Sequence, residues 1–98
     1  MIVVITEAAE RELERISDWI AADNPHRAET FVRELVEKCL RIADTPRGYE
    51  VVPRFAALGL RRRTYGNYLI FYRIREAIEI VHVLHAAQDW EAILERDL

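Results

Sequence analysis

The stretch Leu-Gly-Leu-Arg-Arg-Arg-Thr-Tyr-Gly-Asn-Tyr-Leu-Ile-Phe-Tyr-Arg-Ile-Arg-Glu-Ala-Ile-Glu-Ile-Val-His-Val-Leu-His-Ala-Ala-Gln, residues 58–88, decides the fold. Its first alternating segment, residues 60–65, runs into Gly66-Asn67, which is a two-residue hairpin signal. Residues 68–74 then form a nearly continuous run of β-branched and aromatic side chains. A second, weaker turn signal near Glu76-Ala77 returns the chain through residues 78–85, so the stretch predicts three consecutive antiparallel strands.

The residues before this stretch predict one strand and two helices. Residues 2–5 are all apolar, as expected for a strand buried on both faces. Thr6 is placed to cap a helix that continues to about Ala22, and Asn24-Pro25 predicts the cap and first residue of a second helix. Two helices joined this tightly form an antiparallel hairpin. The side chains expected to face inward are Ala9, Leu13, Ile16, Ile20, Ala28, Phe31, Val32, Leu35, Val36, Cys39, Leu40 and Ala43.

The remaining segments complete a single α+β domain. Residues 49–58 keep no helical or strand period, and Pro53 interrupts the one candidate strand, so we expect a loop there. Asp89 can cap a final helix from Trp90 to about Arg96. The whole chain, residues 1–98, is therefore predicted to be a strand, a two-helix hairpin, a three-stranded antiparallel meander and a short C-terminal helix. The hairpin would cover one face of a four-stranded sheet.

Composition and cysteine content exclude several classes of protein. Apolar residues make up 51% and charged residues 32%, which is typical of soluble globular domains. No apolar run approaches a membrane span and the opening residues lack signal-peptide features, so we expect a cytoplasmic protein without membrane contact. The single cysteine, Cys39, is expected to be a buried thiol. His82 and His85 would point to opposite faces of one strand and could not easily share an ion, so no metal or other cofactor is expected.

Charge is distributed unevenly along the chain. Residues 47–75 hold seven arginines and one acid, whereas residues 1–46 hold six basic and ten acidic side chains and residues 76–98 hold one and six. Such a basic band is either a solvated face or the footprint of an acidic partner. The net charge of −3 argues against broad nucleic-acid binding, and no direct sequence-specific binding to nucleic acid is expected.

Strand alternation sorts the arginines onto faces, and one face must be covered by the helices. Burying Arg73 under the helices would need a paired acid, which favours an open face that contains Arg73, Arg75, Leu69 and Phe71. Arg61 and Arg63 are expected on this open face. A shallow surface of this kind could collect Arg61 or Arg62, Arg73 and His85, although sequence alone leaves the parity undecided.

Three segments follow the two helices in a fixed order: Gly59-Leu60-Arg61, Tyr68-Leu69-Ile70-Phe71-Tyr72-Arg73 and Ile80-Val81-His82-Val83-Leu84-His85, with Asp89 soon after. This ordered set resembles the ParE branch of the ParE/RelE toxin superfamily, the toxin halves of bacterial type II toxin-antitoxin pairs. The resemblance covers nearly the whole chain and implies the RelE/ParE-like fold. It also implies a toxin without an active site of its own that inhibits DNA gyrase by direct binding. The implied controller is a cognate ParD-like antitoxin with a ribbon-helix-helix domain and an extended tail.

RelE-type members of the superfamily share the fold but cut messenger RNA on the ribosome. That reaction needs a dense basic surface and, near the C-terminus, arginine, tyrosine or histidine groups that move protons and stabilise the transition state. Here the net charge is negative, and residues 86–90 are Ala-Ala-Gln-Asp-Trp. The sequence therefore favours the non-nuclease branch, with a RelE-type ribosome-dependent endonuclease as the alternative and a non-toxic member as a third hypothesis.

The candidate site residues are partner-binding residues, and none is assigned a catalytic role. His85 is more often a packed histidine than a catalytic base, and Trp19 and Trp90 are large apolar groups of the kind that anchor interfaces. The antitoxin tail is expected to lay an apolar helix along the hairpin near Trp19 and to set acids against the arginines of residues 54–75. The candidates are Trp19, Arg54, Arg61, Arg63, Arg73, His85 and Trp90.

Overall fold

A computed structural model describes residues 1–98 and places a helical hairpin on one face of a five-stranded sheet. The N-terminal half consists of β1 (Val3–Ile5), α1 (Glu7–Ala21), α2 (Pro25–Leu40) and a 3-10 turn (Arg41–Asp44). The C-terminal half consists of β2 (Glu50–Val51), a 3-10 segment (Pro53–Leu58), β3 (Arg61–Tyr65), β4 (Tyr68–Ile74), β5 (Ile78–His85) and α3 (Trp90–Asp97). The predicted α+β class is confirmed.

The predicted helix starts are confirmed by their caps. The Thr6 hydroxyl accepts a hydrogen bond from the Ala9 N–H at 3.3 Å and donates one to the Ile80 carbonyl at 2.8 Å. Asn24 accepts from the Arg27 N–H at 3.0 Å, with Pro25 as the first helical residue. Asp89 accepts from the Ala92 N–H at 3.3 Å. Each cap satisfies a backbone donor that the helix itself leaves free, which fixes where the helix begins.

The sheet has the strand order β1-β5-β4-β3-β2, in which β1 runs parallel to β5 and every other pair is antiparallel. Gly66 has a φ of 58°, as the β3–β4 hairpin requires. The four-stranded sheet and the expected loop over residues 49–58 are wrong. Glu50 and Val51 pair with Arg62 and Arg61 to form β2, and Pro53–Leu58 form the 3-10 segment. This strand is only two residues long and stops short of Pro53, which cannot donate to a ladder.

Both faces of the sheet are covered, so the expected open face that contains Leu69 and Phe71 is wrong. Phe71 is fully buried and Leu69 is 6% exposed. The 3-10 segment and α3 supply the apolar side chains that cover them, although neither element is long. This second core consists of Val52, Phe55, Leu60, Leu69, Phe71, Val81, Leu84 and Leu94.

The face of the sheet expected for Arg61 and Arg63 is also wrong. Arg61 pairs with Tyr72 and Arg63 with Ile70, and residues directly opposite in an antiparallel pair share a face. Arg61 and Arg63 therefore lie on the side of the helical hairpin. Strict alternation fails in β5 as well, because a bulge leaves Val81 unpaired between the Phe71–His82 and Tyr72–Ile80 pairs.

The main core fills the space between the helical hairpin and the sheet. Leu40 was expected inward but is 50% exposed, because the chain changes to a 3-10 turn after it and Ile42 enters the core instead. Cys39 is fully buried, as expected. None of the helices combines the length and the apolar character that a membrane crossing demands. The main core consists of Ala9, Leu13, Ile16, Leu35, Cys39, Ile42, Tyr68, Ile70, Tyr72, Ile78, Ile80 and Val83.

Candidate functional site

An apolar groove of about 470 Å³ lies between α1 and the C-terminal half of β5. It forms because β1 pairs with β5 only as far as Ile80, so no neighbouring strand covers this edge of β5 beyond that point. Helix α1 forms one wall and the turn after β5 closes one end. The residues that line the groove are Glu12, Arg15, Ile16, Trp19, Tyr68, Val83, Leu84, His85, Ala87 and Gln88.

Trp19 forms the outer lip of this groove and is 76% exposed. The floor contains the buried side chains of Ile16, Tyr68 and Val83. A large indole that leaves three quarters of its surface in water, directly beside apolar side chains, is typical of a residue that anchors an interface. Most of the apolar surface of Trp19 is therefore left in contact with water.

His85 lies at the end of the same groove and is held by local contacts. Its ring stands edge-on to the Tyr68 ring, with centroids 5.0 Å apart. Its Nδ1 accepts the Ala87 N–H at 3.0 Å, and its backbone N–H donates to the Gln88 side chain at 2.8 Å. Because the Nδ1 lone pair is already engaged, the arrangement favours a packed histidine that shapes the groove over a base.

Three arginines of the basic band are paired with acids of the same chain. Arg54 reaches two carboxylates of α3, with nitrogen–oxygen distances of 3.3 Å to Glu91 and 2.6 Å to Glu95. Arg62 contacts Glu50 across the β2–β3 pair. Arg73 donates a hydrogen bond to Glu79 at 2.8 Å. Glu79 is therefore the paired acid that a buried arginine at this position requires. Most of the charge of these three side chains is therefore balanced internally.

Arg61 and Arg63 bind carbonyl oxygens and contact no carboxylate. Arg61 donates to the carbonyls of Tyr49 at 2.8 Å and Arg47 at 3.2 Å. Arg63 donates to the Lys38 carbonyl at 3.0 Å, and its guanidinium lies 4.9 Å from the centre of the Tyr49 ring. Carbonyls orient a guanidinium without neutralising it, so these two arginines retain a positive charge on the hairpin side of β3.

The structure brings together only some of the predicted site residues. Trp19 and His85 share the groove. Trp90 lies on the opposite face of the sheet, where its ring is 5.4 Å from the Phe71 ring. Arg73 and His85 lie at opposite ends of the β4–β5 ladder, since Arg73 pairs with Glu79 and His85 with Tyr68. No single surface collects Arg61, Arg73 and His85.

Sequence reasoning missed a buried polar group beside the groove. Glu12 is 8% and His82 is 3% exposed, and the Glu12 carboxylate lies 2.7 Å from the His82 Nδ1. The other Glu12 oxygen accepts the Val83 N–H at 2.9 Å. Glu12 stands three residues after Ala9 and four before Ile16, so its place on the inward stripe of α1 could have revealed it. These side chains form no group that could hold a metal ion.

Cys39, Tyr72 and Glu50 are each held by burial or by a contact within the chain. Burial raises the pKa of the Cys39 thiol to about 12, which keeps it protonated and unreactive. Burial likewise raises the pKa of Tyr72 to about 12, and its hydroxyl donates to the Pro46 carbonyl at 2.6 Å. Glu50, the one acid of the basic band, is held by Arg62. The surface beside these groups carries an apolar groove with an exposed tryptophan at its lip.

The fold is that of a small α+β domain in which a helical hairpin packs on a five-stranded sheet. Residues 3–90 match the family described as the ParE toxin of type II toxin-antitoxin system, parDE, and the chain therefore belongs to this family. Among solved structures, a chain of the chromosomal ParDE TA system from P. aeruginosa is similar in fold, with a TM-score of 0.74 and 22% sequence identity. The match covers 87% of this chain and 95% of that chain. No curated protein sequence matches the chain.

Proposed function

We propose that the protein is the toxin of a type II pair that inhibits DNA gyrase by direct binding and is neutralised by a cognate antitoxin. The observation that carries the proposal is the family match over residues 3–90. The toxin docks on gyrase and blocks the resealing of cut DNA, so the chemistry belongs to gyrase. It acts in the cytoplasm, where gyrase and DNA are found.

Binding without catalysis is supported by the state of the reactive groups. His85 has its Nδ1 lone pair engaged, His82 is enclosed between carboxylates, and the raised pKa of Cys39 removes the thiolate. A ribosome-dependent nuclease would need accessible proton donors and acceptors beside free arginines. Arg54, Arg62 and Arg73 are engaged with acids of the chain itself, and the guanidinium groups of Arg61 and Arg63 are bound to backbone carbonyls.

The proposed antitoxin is ParD-like, with a ribbon-helix-helix domain and an extended tail that wraps the toxin. Apolar side chains of the tail enter the groove between α1 and β5 and cover Trp19. The support is the geometry: an open edge of β5, an apolar floor and an exposed indole lie side by side. Burying this indole removes a large apolar area from water, which is the kind of contact that dominates interface energies.

Acids of the tail are proposed to face Arg61 and Arg63. These two arginines contact carbonyls but no carboxylate, whereas Arg54 and Arg73 already have acids of their own. An incoming acid would have to displace Glu91 and Glu95 to reach Arg54. Electrostatic complementarity is therefore greatest on the hairpin side of β3.

The test is a supercoiling assay with purified gyrase, relaxed plasmid and the purified protein. We expect loss of supercoiling, accumulation of cut DNA, and relief of both when the protein is mixed with its antitoxin beforehand. A parallel translating extract provides the control for the nuclease alternative. Intact supercoiling together with cleaved messenger RNA would overturn the proposal in favour of the RelE type. Normal cell growth after induction, with no effect in either assay, would indicate a non-toxic member.

A further inference from the structure

The groove between α1 and β5 adjoins a smaller, more polar cavity of about 190 Å³. The groove and the cavity share four lining residues, which are Glu12, Arg15, Leu84 and Gln88. The junction formed by these four residues has α1 on one side and, on the other, the end of β5 with the turn that follows it. A segment that fills the groove therefore reaches polar side chains at this junction.

Two backbone donors on the open edge of β5 already have acceptors. The Val83 N–H donates to Glu12 at 2.9 Å, and the His85 N–H donates to the Gln88 side chain at 2.8 Å. An incoming chain would have to displace both side chains before it could pair with this edge as a further strand. Polar recognition in the groove must therefore come from side chains whose hydrogen-bonding groups are still free.

Arg15 is the charged side chain of the junction that has no partner. It forms no ion pair and no side-chain hydrogen bond within the chain, whereas Arg11, one turn earlier on the same helix, has Glu7 at 3.4 Å. The acid of the junction, Glu12, is engaged with His82 of β5 at 2.7 Å. The Arg15 guanidinium therefore keeps its full charge and all of its N–H donors at the border of an apolar groove.

Gln88 supplies further free donors on the opposite side of the junction. Its Oε1 accepts the His85 N–H, and this contact fixes the orientation of the amide because only the oxygen of an amide can accept a hydrogen bond. The NH2 group of Gln88 then carries two hydrogens that have no acceptor within the chain. The junction thus combines free donors from two side chains, one of them positively charged, which is the pattern that a carboxylate requires.

We propose that the junction binds a carboxylate of the antitoxin tail, held by the Arg15 guanidinium and the Gln88 amide. This inference rests on the proposed function, and it adds an acid inside the groove to those that face Arg61 and Arg63. Trp19 lies four residues after Arg15 on α1, and side chains four apart on a helix are neighbours, with Cβ atoms about 5–6 Å apart. The segment of the tail that covers the indole therefore presents an acid about one helical turn from its apolar anchor.

A singly charged carboxylate fits the junction better than a phosphate does. Glu12 and Asp97 line the adjoining polar cavity, and their negative charges oppose a second charge on the ligand. An aspartate or glutamate side chain can also belong to the same peptide segment that places apolar side chains in the groove. The ligand is therefore an acidic residue of a peptide.

The test is calorimetric titration of Arg15→Gln with the purified cognate antitoxin. We expect the affinity to fall roughly ten-fold at low salt, as loss of a hydrogen bond to a charged group predicts, and the difference from the wild type to shrink in high salt. Gln88→Glu keeps an oxygen that accepts the His85 N–H and replaces the free donors with a second oxygen, so repulsion should weaken binding as well. Arg11→Gln is the matched control, because Arg11 is paired with Glu7 and does not line the groove, and its affinity should stay within about two-fold of the wild type.

Double-mutant cycles with amide substitutions of the acids in the antitoxin tail identify the ligand. One such substitution should cost about as much affinity as Arg15→Gln and little more when the two are combined. Equal affinities for Arg15→Gln, Arg11→Gln and the wild type, alongside weakened binding by Trp19→Ala, would overturn this inference and leave the proposed function intact. A loss in Arg15→Gln that couples to no acid of the tail would also overturn it. Failure of the wild type to bind the antitoxin would contradict the proposed function itself, and this inference with it.

Discussion

The two faces of the sheet are both buried, but they are closed in different ways. The α3 side is sealed, since Leu94 and Phe71 are fully buried and Arg54 ties the 3-10 segment to Glu91 and Glu95. The hairpin side is left open at one end, where β1 ends at Ile5 opposite Ile80 of β5 and the groove beside Trp19 begins.

The difference indicates where a partner can gain most. A sealed face offers charges that are already paired, and a partner must break those pairs before it gains new ones. An open apolar groove offers surface that gains free energy simply by leaving water. Clusters of charge in the sequence therefore do not by themselves identify the binding surface of this protein.

The largest expected effect concerns the sealed face. Phe71→Ala should lower the free energy of unfolding by about 3–5 kcal/mol, because it leaves a cavity in a fully packed core. Urea denaturation would measure the change. Leu58→Ala is the control, because Leu58 is half exposed in the neighbouring segment and should cost less than about 1 kcal/mol. A loss below about 1 kcal/mol for Phe71→Ala would mean that this face is open after all.

The hairpin side should lose stability at alkaline pH. The pKa of Cys39 and that of Tyr72 are each raised to about 12 in the folded protein, from ordinary values of 9.0 and 10.0. The unfolded chain releases these protons at lower pH than the folded chain, so rising pH favours unfolding. The folding equilibrium should fall up to about ten-fold per pH unit for each such group above its ordinary pKa.

Denaturation midpoints measured between about pH 8 and about pH 11 would test this expectation. Tyr72→Phe removes one titrating hydroxyl and keeps the ring, so its stability should fall less steeply than that of the wild type. Equal slopes for the two proteins would show that Tyr72 does not titrate differently on unfolding.

The smallest expected effect concerns the ion pairs that close the sealed face. Arg54→Gln should lower the melting temperature slightly in low salt and have no effect in high salt, because the pairs with Glu91 and Glu95 are solvent-exposed. Arg73→Gln is the comparison, since its pair with Glu79 is more buried and should depend less on salt. A large, salt-independent loss for Arg54→Gln would show that this pair is a main support of the face.

The helices could be predicted because their signals are local. Thr6, Asn24 and Asp89 each combine a capping side chain with an apolar period that begins just after it, and each cap is found where expected. The hairpin at Gly66-Asn67 is equally local. The family could be named because its segments keep their order along the chain.

The faces of the sheet could not be predicted with the same success, because they depend on contacts between distant residues. The bulge at Val81 reverses the parity of Val83 and Leu84, and nothing in the sequence of β5 marks it. The two-residue strand β2 is too short to show a period. The acids that pair with Arg54 lie 37 and 41 residues away, so the charge balance of the basic band appears only in the fold.

The most direct test of the account is the affinity of the cognate antitoxin for two variants measured side by side. Trp19→Ala removes the lip of the groove, and the double variant Arg61→Gln/Arg63→Gln removes the two charges on the hairpin side of β3 that contact no carboxylate. Calorimetry should show that Trp19→Ala lowers the affinity for the antitoxin at least about 30-fold. The double variant should lower this affinity less, and by an amount that depends on salt. Unchanged circular dichroism would confirm that both remain folded. Near-normal binding by Trp19→Ala, with most affinity lost in the double variant, would contradict the account.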